Sequence, residues 1–297
     1  MISVIICTYN RERYISEVLQ SLSLTSYKDF EVILIDNNST DSTQKKVYDF
    51  KGKHPDFPLK YFLEKTQGLS WARNRGIKEA SGDILAFIDD DATVRPDFLE
   101  NLSKEMDSHP QAQAFGGKII PVFDDCPPPK WLCRFSMGWV SALDMGKTVC
   151  DFRDRKFPIG ANMGFRREVL QRCGEFNPML GRNGGNLMGG EEKDLFNRIK
   201  KAGYSILYFP DVVVEHHIPQ SRTTLKYVKE FANGVGLSER LRSKYENSYP
   251  LRLLEEVLKW VATLLLFFFY AIIGRPTCAA TLVLFRAFVT RALLIGK

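Results

Sequence analysis

Four short runs, Ile2 to Cys7, Glu31 to Ile35, Leu59 to Leu63 and Ile84 to Ile88, divide the N-terminal third of this 297-residue chain. Each is dominated by apolar residues and short enough to read as a buried strand. Between them apolar residues return at helical spacing, as at Tyr14, Val18, Leu19 and Leu22 after the first run. Gly68 to Ala80 reads the same way before the fourth. Strand and helix in alternation predict an α/β fold, with a mostly parallel central sheet and helices on both faces.

Three of these strands end in polar clusters: Thr8-Tyr9-Asn10, Asp36-Asn37-Asn38 and Asp89-Asp90-Asp91. Open α/β sheets bind ligands outside the carboxyl ends of their strands, so this is the layout of a nucleotide pocket. No Gly-x-Gly-x-x-Gly follows the first strand and no Gly-x-x-x-x-Gly-Lys-Ser/Thr is present. Those absences argue against a dinucleotide cofactor and against a P-loop ATPase. Asp36 has two readings, an acceptor for base or ribose, or a cap on the following turn. Asp41 or Ser39 could cap the helix that carries Val47.

The aspartate run is the sharpest chemical signal. Three like charges at a strand end repel one another, and a hard divalent cation offsets that repulsion. Mg2+ is commonly held by one or two carboxylates plus phosphates and water. Side chains alternate in an extended segment, so Asp89 and Asp91 can share a direction while Asp90 points elsewhere. The bland reading is a solvated acidic turn before a helix starting at Pro96-Asp97-Phe98. Just upstream, Arg73 could make forked contacts to a diphosphate, or sit solvated on a surface helix.

Beyond Phe115 the periodicity weakens. Trp131 and Trp139 either pack a core or line an acceptor groove. Pro158 to Phe165 reads as a short strand whose small residues let backbone approach a ligand. Gly181 to Gly190 reads as a mobile loop. It leads into a helix whose first turn holds Glu191 and Glu192, and Leu195, Ile199 and Ala202 mark the buried side. Acidic residues suit a helix N-terminus, and either glutamate could instead serve as a general base. Tyr204 to Phe209 and Val212 to Val214 are strand-like, and Glu215-His216-His217 follows. A histidine there could ligate a cation, contact phosphate or be structural, with His216 as the candidate ligand.

Net charge is +6, which suits phosphate-bearing ligands or an anionic membrane surface. No dense basic block or zinc-finger pattern suggests a nucleic-acid partner. The six cysteines form no Cys-x-x-Cys pair, so reduced thiols are expected, with a Cys126–Cys150 disulfide the lesser alternative. The N-terminus carries no signal-peptide pattern.

The C-terminal region changes character. Trp260 to Gly274 is 15 residues without a charge. A helix of that length spans about 22 Å, short of the ~30 Å hydrocarbon core. The expectation is a hydrophobic helical tail lying in the cytoplasmic leaflet, with Trp260 at the interface and Arg286, Arg291 and Lys297 at the headgroups. A short spanning hairpin is the alternative, and a helical pair buried in a homo-oligomer is the soluble reading. The expected organisation is a nucleotide-binding half (1–110), a second half of the same domain (111–236) and a membrane-associating region (237–297).

Five segments in this order resemble the family 2 glycosyltransferases of the GT-A (Rossmann-like) fold. They are Val4-Ile5-Ile6-Cys7-Thr8-Tyr9-Asn10, Ile35 to Asp41, Gly68 to Asn74, Phe87 to Asp91 and Gly190 to Leu195. The resemblance covers roughly Ile2 to Gly236. It implies transfer of a sugar from a nucleoside diphosphate sugar, UDP- or GDP-linked, with inversion at the anomeric carbon. Thr8, Tyr9, Asn10, Asn38 and Asp90 would then border the donor and Asp36 would contact the base. Asp89 and Asp91 would match the Asp-x-Asp element that holds Mg2+ or Mn2+. Glu192 falls where the family commonly has the aspartate base of a Glu-Asp pair, which leaves Glu191 and Glu192 as the two candidates. The Gln-x-x-Arg-Trp element of polymerising members is absent, so addition of a single sugar is expected; the apolar tail makes a glycan or lipid-linked acceptor at the cytoplasmic face of the cell membrane the leading expectation. A metal-dependent nucleotidyltransferase and a non-catalytic nucleotide-sugar-binding membrane protein are the alternatives.

Overall fold

The structure, a computed structural model, describes residues 1–153, 156–183 and 187–296. Lys297 and the centre of the glycine-rich loop, Gly184 to Asn186, lie outside the described residues. In order, the first elements are β1 (Ile2–Thr8), α1 (Ile15–Ser23), β2 (Phe30–Asp36), α2 (Thr43–Lys53), β3 (Leu59–Leu63) and α3 (Leu69–Glu79). β4 (Ile84–Asp89), β5 (Ala92–Val94), α4 (Phe98–Ser108), β6 (Ala112–Phe123), β7 (Cys150–Asp151), β8 (Asn162–Arg166) and α5 (Val169–Cys173) follow. The last are α6 (Glu191–Lys201), β9 (Ser205–Ile218), α7 (Leu225–Tyr245), α8 (Tyr249–Ile272) and α9 (Pro276–Ile295).

The chain divides into two compact units. The first takes residues 1–122, 141–179 and 191–217. Its sheet runs in the order β3-β2-β1-β4-β8-β6-β9-β5, with β7 paired to β9. β1, β2, β3 and β4 are parallel, as the alternating pattern predicts. β8 turns antiparallel against β4, and β5 pairs antiparallel with β9. This is a mixed α/β sheet with its parallel half first.

Strand alternation builds two cores. Val4 and Ile6 of β1, Val32 and Leu34 of β2, and Ala86 and Ile88 of β4 face one side. There they meet Val18 and Leu22 of α1, Val47 of α2, and Phe98 and Leu102 of α4. Ile5, Ile33 and Ile35, Leu85 and Phe87 face the other side with Ala72 and Ile77 of α3 and Leu195 and Ile199 of α6. Runs apolar on both faces need helices on both faces, which is what the sheet has.

Three boundaries differ from expectation. The expected strand at Pro158 to Phe165 begins later, at Asn162. The two expected strands at 204–209 and 212–214 are one, β9, continuous through Pro210 and Asp211. Proline ends a strand only where its missing N–H was needed by the ladder. The expected boundary at 236 falls inside α7, a single helix whose Thr224 cap accepts from Tyr227 N at 3.2 Å.

The second unit takes residues 123–140, 180–190 and 218–297. Trp131 and Trp139 pack its interior rather than lining a groove, both nearly buried. The Trp131 indole donates to Thr223 O at 2.9 Å, and Trp139 stacks on Phe285 of α9 with ring centres 4.2 Å apart. Gly236 of α7 lies so close to Val289 O and Ala292 of α9 that a Cβ would overlap both. Arg286, expected at headgroups, instead turns inward and donates to Glu256 Oε1 at 3.2 Å. Trp260 likewise commits its indole N–H to Thr290 Oγ1 at 2.9 Å.

Candidate active site

The β1 and β2 ends are laced together. Asn10 N donates to Ser39 Oγ at 2.9 Å, and Thr40 N donates to Asn10 Oδ1 at 2.8 Å. Arg11 N reaches Thr43 Oγ1 at 2.9 Å, and Ser42 N reaches Glu12 Oε2 at 2.9 Å. Both loops turn on an asparagine in the left-handed region, Asn10 at φ 53° and Asn38 at φ 66°. Asparagine is one of the few non-glycine residues found there often. The Asn10 side chain therefore ties the β1 end to the loop after β2, while Tyr9 and Asn38 remain exposed.

Asp36 is buried and both its oxygens are engaged: Ser39 N donates to Oδ1 at 2.8 Å and Tyr61 Oη to Oδ2 at 2.9 Å. Of its two readings, the turn-holding one is realised in this geometry. Asn37 does similar work, accepting from Gly68 N at 2.7 Å and donating to Thr66 O at 2.7 Å. It ties the start of α3 to the β2 end.

At the β4 end the three aspartates divide. Asp89 is part-exposed, while Asp90 and Asp91 are buried. Ala92 of β5 pairs with His216 of β9, which brings His216 Nε2 to 3.0 Å from Asp91 Oδ1. Ligand atoms of Asp89, Asp91 and His216 lie within 4.8 Å of one another. Two carboxylates and an imidazole converging in this way are a donor set for a divalent cation. Asp90 points instead to Arg11 Nε at 3.3 Å, and Arg11 Nη2 lies 3.3 Å from Asp91 Oδ2. Burial pushes the Asp90 carboxyl up to about 6, with Arg11 opposing the rise. Arg11 was not among the residues singled out from sequence. Its position directly after the first polar cluster was the available signal.

Arg73 of α3 is the link to the second group of carboxylates. It is buried, with its guanidinium carbon 5.2 Å from the centre of the Phe176 ring. Nη1 donates to Glu191 Oε1 at 2.9 Å, Nη2 reaches Glu192 Oε1 at 3.3 Å, and Asp89 Oδ1 lies 4.0 Å away. The fork expected to face a diphosphate thus spans two carboxylates in this structure. Removing one partner of a buried ion pair leaves an uncompensated charge, which costs far more than breaking an exposed pair. Burial and the Glu192 charge push the Glu191 carboxyl up to about 8, with Arg73 opposing. Glu191 is 2% exposed, whereas the Glu192 side chain is 22% exposed. A Cβ at Gly160 would lie 2.6 Å from Glu192 Oε1 and overlap the Arg73 guanidinium. A side chain at this position would force the Arg73–Glu192 pair to shift.

The family model for glycosyl transferase family 2 matches residues 3–174. The chain belongs to that family. Among relatives of this glycosyltransferase, the glucosyl-dolichyl phosphate glucuronosyltransferase of Haloferax volcanii is 27% identical over 243 residues, 81% of this chain and 76% of the relative. The GalNAc(5)-diNAcBac-PP-undecaprenol beta-1,3-glucosyltransferase of Campylobacter jejuni is 32% identical over 121 residues, 40% of this chain and 38% of that protein. The mannosyltransferase PcManGT of Pyrobaculum calidifontis, solved with GDP-Man and Mn2+, superposes with a TM-score of 0.67 at 20% identity. That likeness covers 100% of this chain and 87% of the other, and establishes the GT-A fold.

Proposed function

We propose that this family 2 glycosyltransferase moves one sugar from a UDP- or GDP-linked donor to an acceptor hydroxyl with inversion, in polysaccharide or glycolipid assembly. The observation that carries the reading is the Arg73 bridge, which holds Glu191 and Glu192 beside the Asp89 end of the acidic cluster. Glu192, the more open of the pair, is the base. Its carboxylate takes the proton of the acceptor hydroxyl as that oxygen bonds to the anomeric carbon and the bond to the diphosphate breaks on the opposite face. Glu191, buried behind it, holds Arg73 in place and so sets where Glu192 points. Thr8, Tyr9 and Asn38 border the nucleoside, with Asn10 and Asp36 holding the loops that frame it.

Asp89, Asp91 and His216 fit Mg2+ or Mn2+, and the imidazole in the set favours Mn2+. When bound, such a cation neutralises charge on the leaving diphosphate. Arg11, already beside Asp90 and Asp91, adds a fixed positive charge at the same place.

A lipid-linked acceptor and residence at the cytoplasmic face of the cell membrane complete the reading. The two relatives above are named for lipid-linked sugars, and the C-terminal helices α8 and α9 are rich in apolar residues. The test is a panel of nucleoside diphosphate sugars, with and without Mn2+ or Mg2+, followed by thermal shift and slow donor hydrolysis. A metal-dependent shift with release of nucleoside diphosphate supports the reading. Pyrophosphate release from a nucleoside triphosphate, or silence from folded protein, overturns it.

A further inference from the structure

α8 is the anomaly of the second unit. Leu254, Leu258, Val261, Leu265, Phe268 and Ile272 recur at three- and four-residue steps and are all exposed, Leu265 at 67% and Ile272 at 84%. Leu264 and Ile273, also exposed, mark the edges of this face. At ~3.6 residues per turn the face spans about 180° of the helix. Contiguous apolar surface of this kind marks a site of contact with a membrane or another protein.

The opposite side of α8 cannot exchange with it. Arg252 donates to Glu256 Oε2 at 2.8 Å and to Glu239 Oε2 of α7 at 2.9 Å. Thr290 Oγ1 of α9 donates to Glu256 Oε1 at 2.8 Å. This buried polar network fixes the rotation of α8 about its axis and leaves the apolar arc outward. α9 behaves differently. It is the helix long and apolar enough to cross a membrane, yet 44% of that window is buried. Cys278, Leu282, Val289 and Leu293 are all buried.

We propose that α8 lies in the plane of an anionic lipid surface, its outer face among the acyl chains, while α9 stays within the helical unit and does not cross. This deepens the membrane-face residence proposed above and is independent of the transfer chemistry. The width of the apolar arc favours lipid over a second copy, since a two-helix seam uses a narrower stripe. Charge complementarity favours an anionic surface: after Lys259 the chain carries Arg275, Arg291 and Lys297, besides the inward-paired Arg286, and no acidic residue. A helix in the interface plane with one apolar face and flanking cations is a monotopic arrangement.

The test floats full-length protein with phosphatidylcholine vesicles, with and without phosphatidylglycerol. Wild type is expected to co-float, more strongly with the anionic lipid, and the double variant Leu258→Glu/Leu265→Glu to lose at least ten-fold in bound fraction. Both positions are exposed, so its unfolding midpoint should match wild type; if it does not, Ile272→Glu alone takes its place. Depth is read by brominated-lipid quenching in Leu254→Trp and Phe268→Trp, each against wild type. Equal depths support α8 in the plane, whereas depths differing by about 21 Å mean that α8 crosses and overturn the proposal. Flotation unchanged by the glutamates also overturns it. So does a wild-type dimer that the glutamates split without vesicles ever being bound. Donor hydrolysis on the same samples reports the transferase reading separately.

Discussion

Arg73 Nη1 donates to Glu191 Oε1 at 2.9 Å across 118 residues of sequence. That contact joins α3, packed on the parallel half of the sheet, to the first turn of α6. It fixes which of two adjacent carboxylates is buried and which stays partly exposed.

Glu192→Gln should lower kcat by roughly 10²–10⁴, the usual contribution of a general base, while donor affinity stays near wild type. Single-turnover transfer and donor titration separate the two quantities. Near-normal turnover would move the base to another group.

Arg73→Ala leaves the buried Glu191 carboxyl and the partly exposed Glu192 carboxylate without their shared donor, and should cost about 1–3 kcal/mol in urea unfolding. Arg73→Lys keeps the charge but loses the fork. It should therefore recover most of the stability and little of kcat. Equal recovery of both would make the fork irrelevant to catalysis.

The Glu191 carboxyl sits at about 8 in the fold against an ordinary value of 4.5. Between those values the folded state holds a proton that the unfolded chain has released. This group's contribution is therefore complete below its unfolded value and declines as pH rises through about 8. Asp90, raised to about 6, slopes the same way. Glu191→Gln should flatten the fall in stability from pH 5 to pH 8, with Asp90's share remaining. Unfolding curves across that range check it; parallel profiles would show that Glu191 is not held protonated.

Asp91→Asn and His216→Ala should each weaken Mn2+ binding, read by electron paramagnetic resonance of the free ion, with Asp91→Asn the more severe because it also removes the charge facing His216 and Arg11. Unchanged titrations would remove these residues from the cation site.

Gly160→Ala should depress activity by displacing the Arg73–Glu192 pair, at a stability cost of about 1–3 kcal/mol for the crowding. Wild-type kcat in this variant would mean that the pair has room to shift without consequence.

The alternating strands and helices of the first third were legible because local periodicity dictates them, as were the polar strand ends at Asp36 and at Asp89 to Asp91. Asp89 and Asp91 do converge with His216, but Asp90 and Asp91 form the turn between β4 and β5, so turn geometry rather than strand alternation sets their directions. What side chains do at long range was not legible. Asp36 and Asn37 spend their polar atoms holding loops, and Arg73 faces carboxylates whose positions depend on where α6 docks. In the C-terminal region, composition announced two apolar helices but could not say which one is covered. Sequence by itself determined the element order of the first third, the polar strand ends and the apolar tail, because these follow from neighbours three or four residues apart at most. Tertiary structure alone decided the Arg73 bridge, the His216 approach and the outward face of α8, because burial and charge pairing are set by elements far apart in the chain.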